Sequence, residues 1–279
     1  MIAIADSGST KTLWTFVARS METSQIHTSG MNPNFITNEV WQEISQAIKA
    51  YNTPGDPIEK IYFYGAGCGT EKAKETVLKL LISIFPNADI FVETDMLGAC
   101  RGSCGNNNGI VGILGTGSNS CTYINGNITS NIPALGYTLC DEGSGNHIGK
   151  LLLKAYLRRT MPADLAEDFA SQFPFDTTYF LNKLYKEPFP NRFLAFFTPF
   201  AYKHKNHAFV KDILQQVFVS YFEEQICRYP DKLNLHLVGS VAYYFADEIG
   251  EVALRYGIHI WAINQSPIQG LIEYHCGGL

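Results

Sequence analysis

Asp6-Ser7-Gly8-Ser9-Thr10-Lys11-Thr12 follows an apolar run at residues 2–5 and precedes a second apolar, β-branched run at 12–18. A tight turn of Gly, Ser and Thr after a buried strand presents backbone N–H groups and hydroxyls outward. Such a nest can hold phosphate oxygens without a fixed positive charge. An ordinary hairpin turn uses the same residues. The arrangement occurs twice, however. Ile110-Val111-Gly112-Ile113-Leu114 runs into Gly115-Thr116-Gly117-Ser118-Asn119 and then into residues 121–125. Two strand–turn–strand units about 110 residues apart form an approximate internal repeat and imply two related halves that face each other.

Gly8-Ser9-Thr10-Lys11-Thr12 superficially resembles a P-loop, but lacks the spacing and the glycine before the lysine. A P-loop also opens a helix, whereas residues 12–17 read as strand, so the P-loop is rejected. Gly65-Ala66-Gly67-Cys68-Gly69 is not a dinucleotide fingerprint. It reads as a strand-to-helix turn contributing to a ligand cleft, with Gly67 the substrate-side candidate.

Acids mark the remaining chemistry. Asp95 falls at the end of a strand at 89–93, where ligands gather in α/β sheets. It could accept the proton of an attacking hydroxyl. Thr94 or Asp95 could equally be a helix N-cap. Asp141-Glu142-Gly143-Ser144-Gly145 precedes an apolar stripe through Ile148, Leu151, Leu152, Ala155 and Tyr156. The two acids could bind sugar hydroxyls or simply favour a helix N-terminus. Leu235-His236-Leu237-Val238-Gly239-Ser240-Val241-Ala242 reads as strand, glycine turn and helix, and that turn could pack on an adenine ring or only connect two elements. Lysines around His204 and His207 argue against a metal site, and the aromatic stretch 189–202 reads as core or dimer surface.

These residues need a scaffold, and the first half supplies one by alternating strands and helices. Strands are expected at 2–5, 12–18, 60–64, 89–93, 110–114 and 121–125, and helices at 39–51, 71–85 and 96–102. Helices dominate from 144 to 228, followed by a buried strand at 233–238. This is an α/β pattern.

Composition narrows the classes. The 279-residue chain is 46% hydrophobic and 17% charged, which suits two packed domains and argues against disorder. A net charge of -5 with no basic cluster argues against a nucleic-acid partner. No apolar run reaches the roughly 18–20 residues of a membrane span. The N-terminus lacks the pattern of a signal peptide. Seven scattered cysteines give neither a disulfide framework nor a metal site, Cys100 and Cys104 having no second pair, so a reducing, cytoplasmic location is expected.

Taken in order, the motifs resemble those of the N-acetylglucosamine kinase and BadF/BcrA-type ATPase branch of the actin/Hsp70/hexokinase superfamily. Asp6–Thr12 is similar to its first phosphate motif, Gly115–Asn119 to its second, Leu237–Val241 to its adenosine motif, and Asp141–Gly145 to its Gly-Asp-Glu-Gly-Ser segment. The resemblance spans nearly the whole chain. It implies an actin-like ATPase fold of two ribonuclease-H-like α/β halves with mixed sheets, residues 1–108 with 266–279 and residues 109–265. ATP and Mg²⁺ are expected in the cleft between them.

The roles implied follow position by position. Asp6 would help hold Mg²⁺. Ser7, Gly8, Ser9, Thr10 and Lys11 would approach the phosphates from one side, and Gly115, Thr116, Gly117 and Ser118 from the other. Gly239 and Ser240 would meet the adenosine. Asp95 matches the family's catalytic base, acting on the 6-hydroxyl of an amino sugar such as N-acetylglucosamine. Asn119, Asp141 and Glu142 match sugar contacts, as does one of Asn32 and Asn34. Ser7 and Cys140 stand where glycine is usual, and Ser240 replaces a glycine common elsewhere in the superfamily. A partner-activating ATPase and a non-catalytic sugar or nucleotide sensor are the alternatives. A homodimer is compatible with base rates.

Overall fold

The computed structural model describes residues 1–53, 55–230 and 232–277. Its elements in order are β1 (Ile2–Ser7), β2 (Lys11–Val17), β3 (Thr23–Ser29), α1 (Asn38–Lys49), β4 (Lys60–Gly65), α2 (Glu71–Ile82), β5 (Asp89–Thr94) and α3 (Asp95–Cys104). Next come β6 (Gly109–Leu114), β7 (Ser118–Ile124), β8 (Asn127–Asn131), α4 (Gly145–Leu157), α5 (Ala163–Gln172), α6 (Thr177–Tyr185), α7 (Pro190–Ala195), α8 (Thr198–Lys203) and α9 (Ala208–Glu224). The last are β9 (Leu235–Val238), α10 (Ser240–Tyr244), α11 (Ala246–Arg255), β10 (Ile260–Asn264) and α12 (Ile268–Cys276). The chain divides into two compact units. The first comprises residues 1–107, 124–128 and the segment from Ser266; the second comprises 108–123 and 129–265.

In the first unit the strand order is β3-β2-β1-β4-β5. β1, β2 and β3 pair antiparallel, while β4 and β5 run parallel to β1. Both faces of this sheet are covered, which is why its central strands read as continuous apolar runs. Ala3, Ala5 and Phe63 face α1 and α2, meeting Ile44, Ile48, Val77 and Leu81. Ile4 and Tyr64, one residue out of phase, face α12 through Ile268, Leu271 and Ile272. The register aligns Ser7 with Gly65 and Gly65 with Thr94. The segments after β1, β4 and β5 therefore leave the sheet along one edge, which is where Asp6, Gly67 and Asp95 gather. α3 and α12 cross at glycines: a Cβ on Gly270 would lie 1.8 Å from the Gly102 carbonyl oxygen.

In the second unit the order is β10-β9-β6-β7-β8, with β6 antiparallel to β7 and parallel to β9, and β9 parallel to β10. Its core is unusually aromatic, built on Phe169, Phe180, Phe197, Phe200, Phe218, Tyr221 and Phe222. Each such ring contributes roughly 1.5–3 kcal/mol on burial. The stretch 189–202 joins this core through Leu194, Phe197 and Phe200, while Phe196 and Tyr202 stay exposed. Ile113 pairs with Val238, so the turns after β6 and β9 emerge side by side. No described helix is long and apolar enough to cross a membrane.

The structure corrects several expected boundaries. The helix expected at 71–85 stops at Ile82, although Phe85 is still buried, and the strand expected at 233–238 starts at Leu235. β3, β8 and β10 are additional strands.

Candidate functional site

In the first unit, residues 8–11 close the β1–β2 hairpin, the Gly8 N–H donating to the Lys11 carbonyl at 3.0 Å. Gly30 lies directly against this turn: a Cβ there would fall 2.6 Å from the Gly8 oxygen. Gly8, Thr10 and Lys11 are exposed, but Ser7 is fully buried. Its hydroxyl shares a 2.8 Å hydrogen bond with Thr12 and accepts the Met31 N–H at 3.1 Å. The Ser7 side chain thus ties the turn to the segment carrying Asn32, and points inward, not to solvent.

Asn32 is buried, whereas Asn34 is exposed. The Asn32 Oδ1 accepts the Asn34 N–H at 3.0 Å, and a Cβ on Gly67 would lie 2.4 Å from that same oxygen. Gly67 has φ +85°, a conformation that favours glycine. Asn32 and Gly67 therefore form one surface, and Asn34 stands outside it.

Thr94 caps α3: its Oγ1 accepts the Leu97 N–H at 3.1 Å. Asp95 is thereby released from capping, and its carboxylate accepts from backbone amides at the start of the helix, its Oδ1 taking the Met96 N–H at 2.9 Å. Burial raises the Asp95 pKa above the usual carboxylate value. Asp6, on β1, has its pKa pushed up to about 6, first by burial. The Ser266 hydroxyl, donating to Asp6 Oδ2 at 3.1 Å, opposes that shift; the Asp95 charge adds to it and Lys11 counters it. Two neighbouring, partly desolvated carboxylates with one exposed lysine nearby leave a deficit of positive charge. Hard oxygen donors of this kind suit Mg²⁺, which keeps several of its waters and needs few protein ligands. No cluster of three or more potential metal-ligating side chains occurs among the described residues.

In the second unit the Gly115–Gly117 turn closes on itself through the Gly115 N–H and the Gly117 carbonyl, 3.0 Å apart. The carbonyls of Gly115 and Thr116 accept the first amides of α4, from Gly145 at 2.8 Å and Asn146 at 3.1 Å. These are orphan donors that every helix start must place. The turn is thereby held by its oxygens, and its Thr116 and Gly117 amides make no hydrogen bond among the described residues, as an anion nest requires.

Asp141 is buried, with φ +66°. Its Oδ1 accepts the Ser118 N–H at 3.4 Å and its Oδ2 the Asn146 Nδ2 at 2.7 Å. Burial raises its pKa. Asn146 also donates to the Thr116 carbonyl at 2.8 Å, so it joins the acid to the loop. Asn119 accepts the Ser120 N–H at 2.8 Å. Glu142 accepts from Gln225 at 3.1 Å, and Gln225 also donates to the Ser118 hydroxyl at 3.2 Å and accepts from Ser120 at 3.0 Å.

Beside the turn lies a cavity of about 490 Å³. Gly115 and Thr116 form one wall, Ser240 and Val241 another, and Tyr202, Tyr244 and Phe245 supply aromatic surface. Gly239, at φ +121°, allows the close approach of the two turns, since a Cβ there would meet the Leu114 oxygen at 2.3 Å. The second glycine loop and the candidate adenosine turn thus share a pocket that is mostly apolar with hydroxyls at its edge, a lining suited to a nucleoside.

Several residues of these sites were not singled out in the sequence. Ser266 is signalled only as a Ser-Pro step before a helix, and Asn146 as a polar residue in the first turn of an apolar helix. Gln225 and Tyr244 carry no local signal, and Tyr202, the end of the aromatic stretch expected as core or dimer surface, lines the cavity instead. His204 and His207, set aside as metal ligands, pair instead with Asp168 and Asp164 at 2.7 and 3.4 Å.

The two mixed sheets with their flanking helices define an actin-like ATPase fold. A candidate N-acetylglucosamine kinase from Porphyromonas gingivalis is 38% identical, covering 99% of this chain and 98% of its own, with a TM-score of 0.91. The chain belongs to the N-acetylglucosamine kinase and BadF-type ATPase family of the actin/Hsp70/hexokinase superfamily. Two more distant structures share the fold. One is a candidate N-acetylglucosamine kinase from Chromobacterium violaceum, at 17% identity, 98% coverage of both chains and a TM-score of 0.75. The other is a ROK family glucokinase from Streptomyces griseus in complex with glucose and AMPPNP, at 13% identity, 98% and 97% coverage and a TM-score of 0.57. No protein-family model matches the chain, and no curated protein matches it.

Proposed function

We propose that the protein is a sugar kinase that transfers the γ-phosphoryl group of ATP to the 6-hydroxyl of an amino sugar such as N-acetylglucosamine. The observation that carries this reading is the 38% identity to the Porphyromonas gingivalis protein over 99% of the chain. The geometry supports it. Asp95, released from capping by Thr94, takes the proton of the sugar hydroxyl as its oxygen attacks phosphorus. The bond from phosphorus to the β,γ-bridging oxygen breaks and ADP leaves. Its raised pKa makes the Asp95 carboxylate a better proton acceptor than an ordinary carboxylate.

Asn32 and Gly67 supply sugar contacts, Asn32 being favoured over Asn34 by its burial against Gly67. The Thr116 and Gly117 amides hold phosphate oxygens, and the cavity beside them takes the nucleoside, with Tyr244 and Tyr202 against the base. Asp6, kept in place by Ser266, would hold Mg²⁺; when bound, the ion neutralises charge on the transferring phosphates.

Release of ADP from Mg-ATP, measured against a panel of hexoses and amino sugars, tests the proposal. Stimulation by an N-acetylated sugar is expected. In Asp95→Asn, kcat should fall by roughly 10²–10⁴ while ATP affinity is kept. A basal rate unmoved by every sugar would replace this reading with a partner-dependent ATPase.

A further inference from the structure

We propose that Tyr64 is a positioning residue for Asp95, fixing α3 both through its ring and through its hydroxyl; the inference rests on the assignment of Asp95 as the base. Tyr64 lies on β4 with 1% of its surface exposed. Gly98, one helical turn beyond Asp95, sits directly on its ring: a Cβ at Gly98 would fall 2.7 Å from Tyr64 Cγ. The ring therefore sets how closely the first turn of α3 approaches the sheet.

The hydroxyl fixes the other end of the helix. Arg101, in the last turn of α3, donates Nη1–H to the Tyr64 oxygen at 3.0 Å. That oxygen is 2.7 Å from His275 Nε2 on α12. Because arginine can only donate, the Tyr64 proton is available to His275, whose Nε2 then accepts in the neutral, Nδ1-protonated form. Burial, with the Arg101 charge second, lowers the His275 pKa to about 4, in keeping with that state. His275 is itself fixed by stacking on Tyr62, with ring centroids 3.6 Å apart and planes 16° apart. Tyr62 and Tyr64 lie two residues apart and so on one face of β4. A single strand thus orients the histidine with one tyrosine and uses it with the next. The chain Arg101–Tyr64–His275 joins α3, β4 and α12, and Asp95 stands on the helix it holds.

Tyr64→Phe keeps the ring and deletes the bridge. It should lower kcat roughly tenfold, with KM for ATP and for sugar held within about twofold, because the effect falls on the base and not on binding. Amide hydrogen exchange in residues 95–104 should accelerate while the rest of the sheet keeps its protection. His275→Ala should reproduce both effects, and His275→Gln, which keeps an acceptor, should reverse most of them. Unchanged α3 protection in Tyr64→Phe would overturn the proposal, as would protection lost evenly across the whole unit. The exchange readout needs no turnover. If the wild-type chain phosphorylates no sugar, the sugar-kinase reading fails while the role of Tyr64 in holding α3 is still judged.

Discussion

Asp6→Asn should stabilise the protein at neutral and alkaline pH while removing the proposed Mg-ATP-dependent activity. A carboxyl whose pKa stands at about 6 in the fold, against an ordinary 3.8, binds its proton more tightly folded than unfolded. Stability from such a group is fully present below pH 3.8 and is lost as pH rises through about 6. At roughly 1.4 kcal/mol per pKa unit the full effect is about 3 kcal/mol. Asp6 is only half-buried, so solvent screening reduces this to about 1–3 kcal/mol. Asparagine carries no charge to desolvate or to repel Asp95, and its carbonyl can still accept from Ser266. Urea unfolding without divalent cations, followed by tryptophan fluorescence, is the assay; Trp14, fully buried in the same sheet, is one reporter. The variant should exceed wild type by about 1–3 kcal/mol at pH 8 and match it near pH 4. Equal stabilities at pH 8, or the same gain at both pH values, would refute the desolvation argument.

Tyr244→Ala opens one wall of the 490 Å³ cavity and should raise KM for ATP roughly tenfold, the scale of a lost base–aromatic stack, with KM for the sugar unchanged in the same steady-state assay. Gly67→Ala puts a Cβ 2.4 Å from Asn32 Oδ1 on a backbone at φ +85°. It should lower thermal stability by about 1–3 kcal/mol and raise the sugar KM, while ATP binding measured by calorimetry is retained.

The strands that the sequence reading missed share one property. β3, β8 and β10 are all edge strands, and most of their residues are exposed or half-exposed. Thr23–Ser29, with the sequence TSQIHTS, has no fully buried residue, so no hydrophobic period betrays it. The central strands were legible because both faces are covered and nearly every side chain must be apolar. The glycine loops were legible for a different reason: a strand–turn–strand repeat is local, and its turn residues follow from backbone geometry. The partners of those loops are not local. Ser266 stands 260 residues from Asp6, and Gln225 stands 107 from Ser118. Nothing short of the fold brings them together.

Two ambiguities in the sequence turn on hydroxyl groups, and both resolve the same way. At Thr94-Asp95 either side chain could cap the helix; once the Thr94 hydroxyl takes the Leu97 amide, the carboxylate of Asp95 is spared a structural task. At Ser7 a hydroxyl stands where the motif resemblance implies a glycine. Turned outward it would crowd the β1–β2 turn, but it is buried between Thr12 and the Met31 amide. Thr12 in turn donates to the Ser29 carbonyl at 3.2 Å, so the departure from glycine is absorbed by a chain of hydrogen bonds reaching β3. That chain ends beside Gly30, which packs on the turn, and Asn32, which faces Gly67. The Ser7 hydroxyl therefore couples the β1–β2 turn, the candidate phosphate turn, to the segment bearing the sugar-contact candidate. Ser7, through the Met31 amide, thus joins Gly30, whose N–H donates to the Thr10 carbonyl at 3.0 Å, in tying the turn to the segment that carries Asn32.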